Sequence, residues 1–324
     1  MPKEKPFVSV CTPTFNRRPF FPYLIKTFLQ QTYPQERMEW VIIDDGTDKV
    51  EDLIKDIPNV NYIKYEDKLT LGKKRNLLNE KSKGDIIVYM DDDDYYPPSR
   101  VEHAVDVLLQ NPDIKVVGSS ILYIYFNKLK KLYRFGPYQK NHSTAATLAF
   151  KKELLKETKF DDEAALAEEK KFLKGYSIPL IQLDSKKTIL VFSHLHNTFD
   201  KNELLLNKND LVKESKENLN KLIKDKELYE FYINNLNKEV DNYELGTILL
   251  KPDVVKQKQK MEEERKRKLN DQFIIMHIGD DKKKLSKDQV IQLLSKQHET
   301  LTNQAKIIEG KDLEIKVLKS RLKM

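Results

Sequence analysis

Four consecutive carboxylates, Asp91-Asp92-Asp93-Asp94, follow the apolar run Ile86-Ile87-Val88-Tyr89-Met90. Adjacent carboxylates repel one another. At the carboxyl end of a buried strand, where open α/β sheets bind their ligands, they are tolerable chiefly when a divalent cation neutralises them. Oxygen ligands select Mg or Mn over softer metals, and such a site takes one or two carboxylates plus substrate phosphates, so the expected ligand is a pyrophosphate. Most acidic runs are solvated loops, but the strand in front argues against that here. Asp44-Asp45-Gly46 ends a second apolar strand, Val41-Ile42-Ile43, and offers another carboxylate pair on the same edge. Taken alone, a turn with Gly46 at positive φ explains that motif equally well.

Two further loops fit that edge. Thr12-Pro13-Thr14-Phe15-Asn16-Arg17 leaves the first strand with hydroxyls, an amide and a guanidinium that could hold a base and phosphates. Gly72-Lys73-Lys74-Arg75-Asn76 opens a helix whose amides and cations could face the pyrophosphate, the alternative being a solvated first turn. Late in this region His194-Leu195-His196 closes another strand, and strand alternation would point both imidazoles the same way. Two ordinary polar residues at a strand end are the competing reading.

Alternating strands and helices must position these groups. Strands are expected over residues 7–12, 39–43, 60–65, 85–90 and 115–119, with helices over 20–32, 48–57, 72–83 and 98–111 between them. That is a doubly wound, mostly parallel α/β sheet of the nucleotide-binding kind. A hairpin over 121–126 and 132–135, a strand over 145–150, helices over 151–158 and 163–173 and a strand over 188–192 follow. From Asp200 onward strand signals are scarce and helical patterns rich in Lys, Asn, Glu and Leu dominate. The expected organisation is a domain over 1–199 and an all-α module over 200–324. The module's last helix, 286–324, opens with the capping box Ser286-Lys287-Asp288-Gln289. Leu294, Leu301, Ile308, Ile315 and Leu322 recur there every seven residues, but Gln297, Gln304 and Lys311 occupy the other seam position. A coiled coil and homo-oligomer through this helix are therefore plausible, not required. With no nucleotide-edge motif beyond Asp200, that region is expected to be dispensable for chemistry.

Bulk properties exclude several classes. The chain has 324 residues, 39% hydrophobic and 34% charged, a mean hydropathy of -0.64 and a formal charge of +7. The basic residues are widely spread, and the dense cluster Arg265-Lys266-Arg267-Lys268 follows Glu262-Glu263-Glu264, so a two-sign solvated helix is the reading and nucleic acid is not an expected partner. The single cysteine, Cys11, permits no disulfide and sits in an apolar run as an inert thiol. Neither a signal sequence nor an apolar run long enough to span a bilayer is visible, which makes a cytoplasmic enzyme the expectation.

Three stretches together, Val8 to Arg17, Ile43-Asp44-Asp45-Gly46-Thr47-Asp48, and Asp91 to Asp94 followed by Tyr95-Tyr96-Pro97-Pro98-Ser99-Arg100, resemble the family 2 glycosyltransferases of the A-type glycosyltransferase (GT-A) fold. The resemblance covers about Phe7 to Asn197. It implies Thr12 and Asp44 or Asp45 against uracil and ribose, and Arg75 against the base or phosphates. It implies metal ligation by Asp91 and Asp93, with Asp92 and Asp94 the alternatives under a one-residue shift, and a late histidine, His196 ahead of His194. The catalytic base would lie in Glu168-Glu169, with Glu169 where the family commonly has Asp. Adjacent helical positions point about 100° apart, so one glutamate is expected to face the cleft and its neighbour solvent, making loss of Glu168 the milder change. The implied cofactors are Mn or Mg with a UDP-sugar donor, and the implied reaction is inverting transfer to a hydroxyl on a glycan, protein or lipid. Processive relatives carry a Gln/Arg/Trp motif and membrane spans; the one tryptophan here, Trp40, lies in the second strand, so transfer of single sugars is expected. Two rivals stand beside this. A nucleotidyltransferase needs glycines after the first strand that Thr12 to Phe15 lacks, and an inactive sugar-nucleotide-binding or scaffold protein is opposed by intact Asp91, Asp93 and Glu169.

Overall fold

Every residue of β1 (Val8–Thr14) and of β2 (Met38–Asp44) is buried, as strands covered on both faces must be. They are seen in a computed structural model that describes residues 4–198, 201–206, 210–270, 274–278 and 281–321. With β3 (Val60–Lys64) and β4 (Ile86–Tyr89) they form the parallel half of a seven-stranded sheet, in the order β3-β2-β1-β4. The sheet continues through β8 (Ala149–Lys151), antiparallel to both neighbours, to β5 (Val116–Gly118) and β9 (Leu180–Gln182).

Period-two alternation splits the strand side chains between two cores. Val10, Trp40, Ile42 and Val88 pack against α1 (Phe21–Leu29) and α4 (Arg100–Gln110). Cys11, Val41, Ile43 and Ile87 face the side of α3 (Leu71–Lys81). Burial pushes the Cys11 thiol up to about 12, as befits an inert side chain. Register then decides the site. Thr14 lies opposite Asp44 and Cys11 opposite Tyr89, so the loops after β1, β2 and β4 leave the same edge.

Two expected helices are shorter than their patterns, because side chains intercept their amides. Asp44 accepts from Gly46 N at 2.9 Å and Val50 N at 3.2 Å, and α2 is only Glu51–Ile54. Gln257 Oε1 accepts from Ala165 N at 2.6 Å and Leu166 N at 3.2 Å, so the helix expected over 163–173 shrinks to α5 (Glu169–Phe172).

A second sheet, β10 (Leu190–Ser193), β6 (Leu122–Phe126), β7 (Lys131–Phe135) and β11 (Val212–Glu214), corrects the expected boundary. β11 pairs with β7, and Ile223, Leu228, Phe231, Tyr232, Leu236 and Val240 share a core with Phe20, Tyr95, Tyr125 and Phe192. Residues 200–257 therefore belong to the first compact unit, 1–257, and the second is 258–324. That second unit is not all-α either. It contains the hairpin β12 (Ile274–Ile278) and β13 (Asp281–Leu285) before the helix Lys287–Arg321. The capping box forms reciprocally, Gln289 N to Ser286 Oγ at 3.2 Å and Ser286 N to Gln289 Oε1 at 2.8 Å. Leu294, Leu301, Ile308 and Ile315 are exposed along this helix, and Leu322 lies outside the described residues. Among the described residues no helix is long and apolar enough to cross a membrane.

Candidate active site

Arg75 joins the two acidic motifs. It projects from α3 across the ring of Tyr89, 4.6 Å away, donates from Nε to Glu168 Oε1 at 2.6 Å, and reaches Asp91 Oδ1 from Nη2 at 3.1 Å. The guanidinium is fully buried, and these two carboxylates hold its charge in place against burial. Expected on a base or phosphate, Arg75 instead positions protein carboxylates.

Glu168 is buried on Arg75, not turned to solvent as helical spacing suggested, because Ala167 at φ 54° and the short α5 tip it inward. Its neighbour Glu169 is half-buried without an ion-pair partner among the described residues. Burial first, and the charge of Glu168 second, push Glu169 up to about 7. Tyr176, itself at φ 66°, hydrogen-bonds its side chain. A carboxylate poised near neutrality beside a fixed neighbour is suited to taking up a proton.

The four aspartates diverge. Asp91 faces Arg75, and burial raises it. Asp92 faces Arg17, whose Nε lies 3.5 Å away, and burial carries it to about 6. Asp93 Oδ2 lies 3.2 Å from His194 Nε2, 3.4 Å from Asn197 Nδ2 and 3.6 Å from Arg17 Nη2; the hydrogen bond from His194 and the Arg17 charge outweigh burial and hold it low. Asp94 turns into the protein, accepting from Phe192 N at 3.1 Å while its carbonyl accepts from Tyr232 Oη at 2.9 Å. That geometry withdraws Asp94 from the expected ligand set.

His194 and His196 lie in a turn after β10 rather than on a strand, so alternation does not align them. Burial lowers both to about 4, leaving neutral imidazoles. His194 contacts the aspartate run directly, whereas His196 packs against Gly246, where an added Cβ would stand 2.2 Å from Nδ1. Sequence reading favoured His196; the geometry favours His194.

A divalent cation fits this chemistry. Asp91 and Asp93 retain side-chain exposures of 26% and 15%, and the His194 imidazole is neutral. Among the described residues no three such groups are already gathered around one point, so substrate oxygens would have to complete the coordination.

Thr12, Asp44, Asp45 and Asn16 are each hydrogen-bonded within the protein. Thr12 Oγ1 donates to Met90 O at 2.7 Å and accepts from Trp40 Nε1 at 2.9 Å. Asp44 accepts from Gly46 N, Val50 N and Tyr62 Oη, and Asp45 from Leu69 N at 2.6 Å while pairing with Lys74 at 2.7 Å. Both carboxylates are thus held in place by protein donors. Asn16, at φ 51°, holds Asp48 N at 3.0 Å and Leu245 O at 3.0 Å. The α3 amides are also occupied: Gly72 N donates to Ala164 O and Lys73 N to Thr70 Oγ1, while the Lys73 side chain is exposed. Gly72 is required by proximity, since a Cβ there would meet Asp161 O at 1.9 Å. Three residues near the site carried no motif in sequence: Tyr176, Asn197 and Lys251.

Residues 9–162 match the family model described as Glycosyl transferase family 2. Over those residues, just under half of its length, the chain is similar to that family. An uncharacterized glycosyltransferase of Haemophilus influenzae is 31% identical over 34% of this chain, and the glucosyl-dolichyl phosphate glucuronosyltransferase of Haloferax volcanii 32% over 36%. The match spans 37% of the length of each of those two family relatives. The structure of Staphylococcus aureus TarS 1-349 in complex with UDP-GlcNAc aligns over 86% of this chain and 99% of that one, at 17% identity and a TM-score of 0.50, which establishes a shared GT-A fold.

Proposed function

We propose that this chain is a metal-dependent glycosyltransferase that moves one sugar, with inversion, from a UDP-sugar to a hydroxyl acceptor. The observation that carries the reading is the linkage Asp91–Arg75–Glu168 with Glu169 beside it, which ties the donor edge to a proton acceptor within one buried network. TarS, of the same fold, is a structure with UDP-GlcNAc bound, and the reading takes the donor here to be a UDP-sugar too.

Glu169 accepts the proton of the acceptor hydroxyl as its oxygen attacks the anomeric carbon. The bond from that carbon to the diphosphate oxygen breaks, and the electron pair leaves with UDP. Asp91, Asp93 and His194 would hold Mn or Mg, which when bound supplies positive charge against the departing diphosphate. Arg75 and Glu168 keep Asp91 and Glu169 in place, and Asn197 fixes His194 from 2.8 Å.

The test is turnover of a panel of nucleotide-sugars by the full chain with Mn, with Mg and with EDTA. Release of UDP from one or more UDP-sugars, lost in EDTA, is expected. Equal turnover in EDTA would remove the metal from the reading, and failure of every sugar nucleotide to bind or react would favour the scaffold alternative.

A further inference from the structure

The segment from Tyr243 to Asp253 lies across the donor edge as a strap. Tyr243 Oη donates to Asp48 at 2.8 Å, Leu245 O accepts from Asn16 at 3.0 Å, and Gly246 O accepts from Arg17 Nη1 at 3.2 Å. Asp253 pairs with Lys68 at 2.5 Å. Lys251 is thereby buried next to the site, with its ammonium 5.9 Å from the ring of Phe15 and within the field of Arg17, Asp92 and Asp93.

What distinguishes Lys251 is its partner. Arg17 is committed to the carbonyls of His196 and Gly246 and to Asp92 and Asp93. Lys74 pairs with Asp45, Lys68 with Asp253, and Arg75 with Glu168 and Asp91. Among the described residues no carboxylate lies within ion-pair distance of Lys251 Nζ, whose only hydrogen bond is to Thr198 Oγ1 at 3.2 Å. An ammonium removed from water with a single hydroxyl for company is costly, and an anion entering beside it would remove that cost. Burial, and then Arg17, depress its charged form accordingly.

We infer that Lys251 is a ligand for the diphosphate of the bound nucleotide, carried to the donor edge by the strap. The inference rests on the donor reading above. Arg17, with every arm occupied by protein, orders the loop, and Lys251 supplies the uncommitted positive charge that a diphosphate recognises.

Calorimetric titration of the full chain with UDP and with uridine, both in Mn, tests this. Lys251→Met, which keeps the aliphatic stem, should weaken UDP about tenfold or more, the scale of one lost charge-assisted hydrogen bond, and leave uridine within about twofold. Lys251→Arg should recover most of the UDP affinity. UDP binding by Lys251→Met as tight as by the native protein would overturn the assignment. Amide exchange over 243–252 in the unmodified protein decides the matter even if the variant does not fold: protection by UDP but not uridine is expected, and equal protection by both would overturn it. A native chain that binds neither UDP nor uridine would sink the donor reading, and Lys251's role with it.

Discussion

Asp44-Asp45 and Glu168-Glu169 are both adjacent acidic pairs, yet the protein treats them in opposite ways. Asp44 and Asp45 are surrounded by donors: amides of three residues, the Tyr62 hydroxyl and the Lys74 ammonium. They fasten the loop after β2 to β3 and α3. In the second pair one member, Glu168, is fastened as firmly to Arg75, but the other is left half-buried with a like charge beside it. Chemistry is available where a buried charge is short of partners, and structure is made where its partners are complete.

The largest effect that would sharpen this contrast is at Glu169. Glu169→Gln should lower turnover on the order of 10²- to 10⁴-fold, the usual contribution of a positioned base, with donor affinity retained in a binding titration. A turnover loss below tenfold would remove Glu169 from the mechanism. Glu168→Gln leaves the Arg75 charge half compensated in the interior and should cost on the order of 3 kcal/mol of stability in urea unfolding. Unfolding at the native urea midpoint would contradict that. Asp44→Asn should cost about 1–3 kcal/mol, the scale of a disrupted buried acceptor, while the folded fraction binds UDP as before. Weaker UDP binding with intact stability would break the comparison, because Asp44 would then be a nucleotide contact.

The smallest expected effect is in pH dependence. Glu169 titrates near 7 in the folded chain against an ordinary 4.5. Between those values the native state holds a proton that the unfolded state has released. Its contribution to stability is therefore complete below pH 4.5 and is lost as the pH rises through 7. The unfolding free energy should fall more steeply from pH 5 to 8 in the native protein than in Glu169→Gln, while turnover rises on an acidic limb near 7 as the base ionises. Parallel stability profiles for the two proteins would show that Glu169 is not perturbed.

Much of this was legible beforehand because it is local. The runs Val8 to Thr14 and Ile86 to Met90 have strand composition whatever surrounds them, and Ser286 with Gln289 closes a capping box within four residues. Harder cases depend on distant partners. The 163–173 stretch has a helical pattern that Gln257, some ninety residues later, interrupts. Thr12, Asp44 and Asp45 matched a family motif, but whether a polar side chain meets a ligand or the scaffold depends on which donors the fold brings to it.

Residues 200–257 and 258–324 mark the limit most clearly, since both are lysine-rich and helical in pattern. Composition and periodicity determined that these stretches are largely helical, that the first half is a mostly parallel α/β sheet and that aspartates gather on one of its edges. Only the tertiary structure decided that Phe231, Tyr232 and Leu236 enter a core with Phe20 and Phe192, while Leu294 and Leu301 remain exposed. The same packing laid the strap with Lys251 across the donor edge and divided the Asp91–Asp94 run between Arg75, Arg17, His194 and the interior. An apolar stripe or a run of charges specifies what a segment can bury or pair with. Which partner it meets depends on contacts between residues far apart in the chain, and periodicity along the chain carries no record of them.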